Sequence, residues 1–88
     1  MDQMDADATY AMSPRRVVFE FVADGEALSA SISGDALERL TGGKDLAGAE
    51  QNLAAYRAHW HAIHGLAVAK QTRGQEPVVI RVADIQDR

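Results

Sequence analysis

Three histidines lie close together in the sequence, at positions 59, 61 and 64, on either side of the single tryptophan. Imidazole is a common metal ligand and a general base near neutral pH. On a helix, which turns about 100° per residue, His61 and His64 would lie about 60° apart and could share an ion. His59 would lie about 140° from His64. Because one helix cannot direct all three side chains at one metal, and no carboxylate ligand is identifiable, we predict no metal-binding residues.

A second motif, Gly42-Gly43-Lys44, is similar to the end of a phosphate-binding loop. That loop requires a glycine five residues before its last glycine and a serine or threonine after the lysine. This chain has Glu38 and Asp45 at those two positions. We therefore predict no phosphate or cofactor site here.

Carboxylates that could pair with a histidine for acid–base catalysis include Glu20, Asp24, Glu26 and Asp35. A general base must reach the proton that it removes, and the sequence gives no such geometry. The chain also lacks the G-x-S-x-G context of a hydrolase nucleophile. We predict no catalytic residues and a protein that is not an enzyme.

Length and composition indicate one small globular domain. The chain has 88 residues, 47% hydrophobic and 25% charged. The absence of cysteine excludes disulfides, thiol catalysis and cysteine-ligated metals. No apolar run approaches the ~20 residues that a membrane span needs, and the acidic start MDQMDADATYAM does not match a signal peptide. We expect a cytoplasmic protein with no membrane partner.

The net charge of −4 disfavours general nucleic-acid binding, which needs a basic surface. A patch would have to gather basic residues from distant parts of the chain: Arg15, Arg16, Arg57, Lys70 and Arg73. Nucleic acid is therefore an improbable partner. Weak nucleic-acid binding or transcriptional regulation stays as the alternative function.

A β-hairpin is the clearest predicted element. Residues 15–22 and 27–33 alternate in polarity, and Asp24-Gly25 between them is typical of a two-residue type I′ turn. This turn pairs Phe21 with Leu28, and the same register pairs Phe19 with Ala30 and Val17 with Ile32. A slip of one residue would expose half of these side chains.

Two helices are predicted to follow the hairpin. Ser33 is a suitable N-cap for a short helix over Asp35–Thr41. A longer helix, over about 48–74, follows from the spacing of Leu53, Tyr56, Trp60, Ile63 and Ala67. At about 1.5 Å per residue it would exceed a typical strand, so we expect one end to extend beyond a small sheet or to cover a second subunit. On this helix His61, His64 and Arg57 would lie on the exposed flank, where they would meet solvent or a partner.

Val78–Ala83 alternates again and is predicted as the last strand. The predicted fold class is α+β: a two-layer β-β-α-α-β arrangement with a three-stranded, mainly antiparallel sheet and both helices on one face. Residues 1–13 are predicted as a disordered acidic tail and residues 14–86 as the single domain. The predicted core contains Val17, Phe19, Phe21, Leu28, Ile32, Leu37, Leu40, Leu53, Tyr56, Trp60, Ile63, Val78, Ile80 and Val82.

The order and spacing of these elements resemble a known family. The residues that carry the resemblance are Val17, Phe19, Gly25, Ile32, Ser33, Ala36, Leu37, the long helix headed by Glu50, and the closing Val78, Ile80, Val82, Asp84 and Ile85. Together they resemble the small bacterial proteins grouped as domain of unknown function 1488. The resemblance covers most of residues 15–86, implies the two-layer fold, and supplies no catalytic residues.

We therefore expect a small bacterial, non-catalytic interaction or accessory module that self-associates. A homodimer could form through the outer sheet face, a sheet edge or the long helix. The outer face is predicted to carry Val18, Glu20, Val22, Ser29, Ser31, Val79 and Arg81, and unpaired sheet edges also favour association.

Overall fold

The computed structural model of the protein describes residues 3–43 and 46–85. The elements are β1 (Thr9–Ala11), β2 (Arg16–Ala23), β3 (Glu26–Ser33), α1 (Gly34–Leu40), α2 (Ala49–Thr72), β4 (Val78–Ile80) and a 3₁₀ turn (Val82–Asp84). Lys44 and Asp45 of the glycine-rich loop, and Gln86 at the predicted end of the domain, lie outside the described residues.

The four strands form one sheet in the order β1-β2-β3-β4. β2 pairs antiparallel with β1 and with β3, whereas β4 runs parallel to β3. α2 lies across the sheet and contacts β1, β2 and β4, and α1 packs on β3 and α2. The buried strand residues all lie on the helix side, so the α+β two-layer prediction is confirmed, with four strands instead of three.

The hairpin has the predicted register: Phe21 pairs with Leu28, Phe19 with Ala30 and Val17 with Ile32. Asp24 and Gly25 have φ values of 52° and 77°, the left-handed angles that a type I′ turn requires. Local turn chemistry and burial on one face therefore select the same pairing.

Local hydrogen bonds define the start of α1 and the end of α2. The Ser33 hydroxyl accepts the N–H of Ala36 at 3.1 Å, which confirms the predicted N-cap. At the C-terminus of α2, Gly74 adopts φ 79° and donates to the carbonyl of Gln71 at 2.9 Å. Gln75 donates to the carbonyl of Lys70 at 3.1 Å, which completes a Schellman motif.

α2 differs from the predicted uninterrupted helix at His59, where φ is −119° and ψ is 16°. The buried face also differs from the predicted stripe, because it includes two polar residues. These buried positions are Asn52, Ala55, Tyr56, Ile63, His64 and Ala67.

The core lies between the sheet and the two helices. Nine predicted core residues are buried, among them Phe19, Tyr56 and Ile80. The other five are partly buried and pack against the core: Leu28, Leu40, Leu53, Trp60 and Val82. These five lie on the margin of the interior.

The last strand is shorter than predicted. β4 ends at Ile80, and Val82, predicted as an inward strand position, lies in the 3₁₀ turn. The Asp84 carboxylate accepts the backbone N–H of Arg81 at 2.8 Å and a bond from Lys70 Nζ at 2.9 Å. These bonds turn the chain toward α2 and so end its pairing with β3.

The predicted disordered tail is wrong in its described part. Thr9–Ala11 forms β1, with Tyr10 opposite Val17 on the inner face. Met4, Ala8 and Tyr10 pack against the core. Three residues are too few for an alternating pattern, so only tertiary contact defines this strand.

Candidate functional site

The three histidines occupy three different environments. His64 is 1% exposed and belongs to the core. Its ring stacks on Phe19, with centroids 5.0 Å apart and planes at 14°, and Trp60 meets it edge-on at 5.3 Å. The predicted position of His64 on the exposed flank is therefore wrong, because the spacing of apolar residues alone does not define the buried face of α2.

A hydrogen bond explains how an imidazole is accommodated in this core. His64 Nε2 lies 2.7 Å from the Tyr56 hydroxyl, and both side chains are buried. The same hydroxyl accepts the backbone N–H of Asp5 at 3.0 Å. Asp5 in turn accepts the backbone N–H of Glu20 through its carboxylate at 2.8 Å. Buried polar groups are stable when they are paired in this way, and this network ties the N-terminal residues to α2 and β2.

The other two histidines do not join this network. His61 is exposed and contacts Trp60 edge-on at 5.3 Å, and His59 is half-buried at the break in α2. His61 and His64, the pair that helical geometry would allow to share an ion, therefore lie in different environments, one exposed and one buried. Within residues 3–43 and 46–85, no three His, Cys, Asp or Glu side chains converge on one point as metal ligands would.

Several basic side chains considered for nucleic-acid binding are held by intramolecular bonds. Arg15 donates to the Leu46 carbonyl at 2.8 Å and pairs with Glu38 at 3.3 Å and Asp35 at 3.2 Å. The hydrogen bond with the Glu38 carboxylate raises the pKa of Arg15, and it fixes the start of β2 against α1. These contacts assign Arg15 a structural role.

Lys70 is similarly engaged by Asp84 at 2.9 Å, and both side chains are largely covered. The hydrogen bond from Lys70, followed by that from the Arg81 backbone, lowers the pKa of Asp84. The ion pair links α2 to the 3₁₀ turn, so Lys70 also has a structural role.

The opposite side of the sheet carries no helix from residues 3–43 or 46–85. We call this surface the outer face; its side chains belong to Thr9, Ala11, Arg16, Val18, Glu20, Val22, Ala27, Ser29, Ser31 and Val79. None of them is buried, and Arg81, predicted to belong here, lies beyond the end of β4. Val18, Val22 and Val79 are half-buried, so apolar side chains stand beside exposed polar ones.

An apolar groove of about 380 Å³ lies between the end of α1 and the N-terminal half of α2. It is lined by Leu40, Thr41, Leu46, Gln51, Ala54, Ala55, Ala58 and His59. The only nitrogen base in its lining is His59, and no charged side chain borders it among the described residues. The groove therefore lacks the convergent polar groups that orient a small ligand.

The fold and this outer face define a class of small two-layer α+β proteins with both helices on one side of a mixed sheet. The chain belongs to the family described as Protein of unknown function (DUF1488), whose model matches residues 4–78. The resemblance noted from the sequence is thereby confirmed, and the match includes the N-terminal residues that form β1. Searches of curated proteins and of solved structures find no match. None of the helices among the described residues is long and apolar enough to cross a membrane.

Proposed function

We propose that this protein is a non-catalytic, cytoplasmic interaction module that forms a homodimer through the outer face of its sheet. The observation that carries the proposal is the placement of both helices on one side, which leaves three half-buried valines on the other. A single-layer sheet face of this kind is covered in many proteins by a second sheet packed about 10 Å away.

Charge on β2 favours a second copy as the occupant. Arg16 and Glu20 lie on the outer face on either side of Val18, each about 7 Å along the strand from it. A two-fold axis in the interface, perpendicular to β2 at Val18, would bring the two Val18 side chains together. It would also place each Arg16 opposite the partner's Glu20, so that one surface complements itself, as a two-fold interface requires.

The size of the outer face limits the affinity that the dimer can have. The outer face has ten side chains, fewer than the roughly 20–30 residues that each partner contributes to a standard interface. We therefore expect a weak dimer that forms at high micromolar concentration and requires the charge pairs for its register.

Light scattering over a range of concentrations tests the proposal. Wild-type protein should pass from monomer to dimer as the concentration rises. Glu20→Lys should weaken this dimerisation, because the new lysine would face the partner's Arg16. The double variant Arg16→Glu with Glu20→Arg should restore the dimer, since the pairs are only reversed. Ala62→Lys, on the exposed side of α2, is the control that leaves association unchanged.

A monomer at every concentration would overturn the proposal, and so would a Glu20→Lys variant that dimerises like the wild type. The nucleic-acid alternative is tested on the same samples with a labelled duplex at low salt. Binding that weakens steeply with added salt would favour that alternative instead.

A further inference from the structure

The N-terminal arm, residues 3–11, lies along the edge of β2 that does not pair with β3. Only its last three residues form strand pairs, from Thr9 opposite Val18 to Ala11 opposite Arg16. Farther along the edge, the Asp5 side chain takes the place of a strand and accepts the N–H of Glu20. The arm thus covers an edge that would otherwise be open for pairing.

The surface beneath the arm, called the receptor here, binds this segment through both polar and apolar contacts. Tyr56 is fully buried, and its hydroxyl accepts the Asp5 N–H. Beside it, Met4, Ala8 and Tyr10 fill apolar space against the core. Removal of the arm would break the first bond, deprive the Glu20 N–H of its acceptor and expose apolar side chains. The arm of a second copy would supply the same backbone N–H, the same carboxylate and the same apolar side chains.

The loop that joins the arm to β2 has backbone features that favour an extended conformation. Ser13, in the turn between β1 and β2, has φ 64°, an angle that costs an L-residue conformational energy. It precedes Pro14, and a residue before proline is biased toward extended backbone. Next to it, Met12 is 68% exposed, which makes it the most exposed large apolar side chain of the described residues. An extended loop would relieve Ser13 and give two Met12 side chains the opportunity to pack on each other.

We propose that two copies of this chain exchange their N-terminal arms. Each arm then pairs with β2 of the other copy, and Tyr56 accepts the N–H of the partner's Asp5. Every contact of the arm is retained between chains, and the gain is the relaxed loop, so concentration decides which form prevails. This proposal uses the edge of β2 and does not rest on the outer-face dimer.

Single-cysteine variants give a direct test, because the natural chain has no cysteine. Thr9→Cys and Val18→Cys chains, one carrying a mass tag, are mixed at high concentration, incubated and oxidised. Positions 9 and 18 are paired neighbours, at a separation that suits a disulfide. A 9–18 disulfide in this mixture can join only two different chains, so the expected product is a covalent heterodimer.

Two further mixtures separate arm exchange from other association. Val22→Cys with Ala27→Cys is the matched control: these positions also pair, but within the hairpin, which does not exchange. It should yield no heterodimer. The 9–18 mixture is then repeated with Glu20→Lys in both chains. That change weakens the outer-face dimer but keeps the backbone N–H that binds Asp5, so the heterodimer should persist.

Absence of the 9–18 heterodimer in both backgrounds would overturn arm exchange, as would equal cross-linking in the hairpin control. A 9–18 product that disappears with Glu20→Lys would also overturn it, and would leave the outer-face dimer supported. Ser13→Gly supplies an independent measurement, because glycine adopts positive φ without strain. It should raise the dissociation constant of the exchanged dimer at least about tenfold, since two loops contribute. An unchanged constant would contradict the role given to the loop.

Discussion

Tyr56→Phe tests the buried network most directly, because it removes one oxygen and leaves the ring in place. The hydroxyl is bonded to His64 Nε2 at 2.7 Å and to the Asp5 N–H at 3.0 Å. Loss of a hydrogen-bond partner costs a buried group about 1–3 kcal/mol, and an exposed group less, because water replaces the partner. His64 is buried, whereas Asp5 can reach solvent, so we expect a loss of about 2–4 kcal/mol in the free energy of unfolding.

That loss would be a large part of the stability of an 88-residue chain, for which about 4–13 kcal/mol is typical. Urea denaturation followed by circular dichroism measures it. Amide hydrogen exchange should show the second effect, faster exchange at residues 5–11 than elsewhere in the variant, because the arm loses its anchor. Tyr10→Phe is the matched control: it removes a hydroxyl that makes no hydrogen bond in the described part of the chain. A Tyr56→Phe loss below about 0.5 kcal/mol would refute the network.

Three other predictions concern single positions. Asp84→Asn should lower the free energy of unfolding by about 1 kcal/mol at neutral pH. The pKa of Asp84 is lowered in the folded protein. Its stabilising contribution is therefore complete above the unfolded pKa of about 3.9 and is lost as the pH falls through the folded-state pKa. Urea denaturation at neutral and acid pH should therefore show the two proteins converging in acid, and a constant gap would contradict the assignment. Gly34→Ala should lower the melting temperature, because a Cβ there would lie 3.1–3.3 Å from the Arg15 side chain. Gly65→Ala, where no atom lies within 4 Å of the added Cβ, should raise it by up to about 4–8 °C; a loss from Gly65→Ala would show that the helix there is differently packed.

The elements that the sequence predicts well are those determined by neighbouring residues. The hairpin register follows from Asp24-Gly25, and the start of α1 follows from Ser33, because turn and cap chemistry act over a few residues. The end of α2 at Gly74 is of the same kind. Each of these predictions is confirmed by backbone angles or by a hydrogen bond.

The elements that the sequence does not predict depend on distant partners. β1 has three residues and is recognisable only beside Val17 and Tyr56. His64 is buried because a tyrosine eight positions earlier bonds to it, a pairing that a helical pattern of apolar residues does not include. The i, i+8 spacing of Tyr56 and His64 on one helix face was the available signal.

Asn52, at the start of α2, is a second buried polar residue that the apolar pattern does not predict. Its amide nitrogen donates to the carbonyls of Leu46 and Gly48, at 3.3 Å and 2.7 Å, so a polar side chain is buried where Leu53 was expected. Six of the ten outer-face residues are predicted from the sequence, because alternation along β2 and β3 determines which side chains face away from the helices. The prediction misses Thr9 and Ala11 of β1 and the end positions Arg16 and Ala27. It also includes Arg81, which lies outside β4 because Asp84 ends the strand before it.

The parallel pairing of β4 with β3 has a consequence for the order in which the chain folds. β2 and β3 are joined by two residues and can pair early, whereas β4 reaches β3 only after α1 and α2 have crossed back over the sheet. During synthesis the β3 edge, with Ala30 and Ile32, therefore stays unpaired until residues 78–80 leave the ribosome. A nascent chain arrested before that point would present this edge to chaperones or to other nascent chains, and we expect its folding to be completed only as β4 is released.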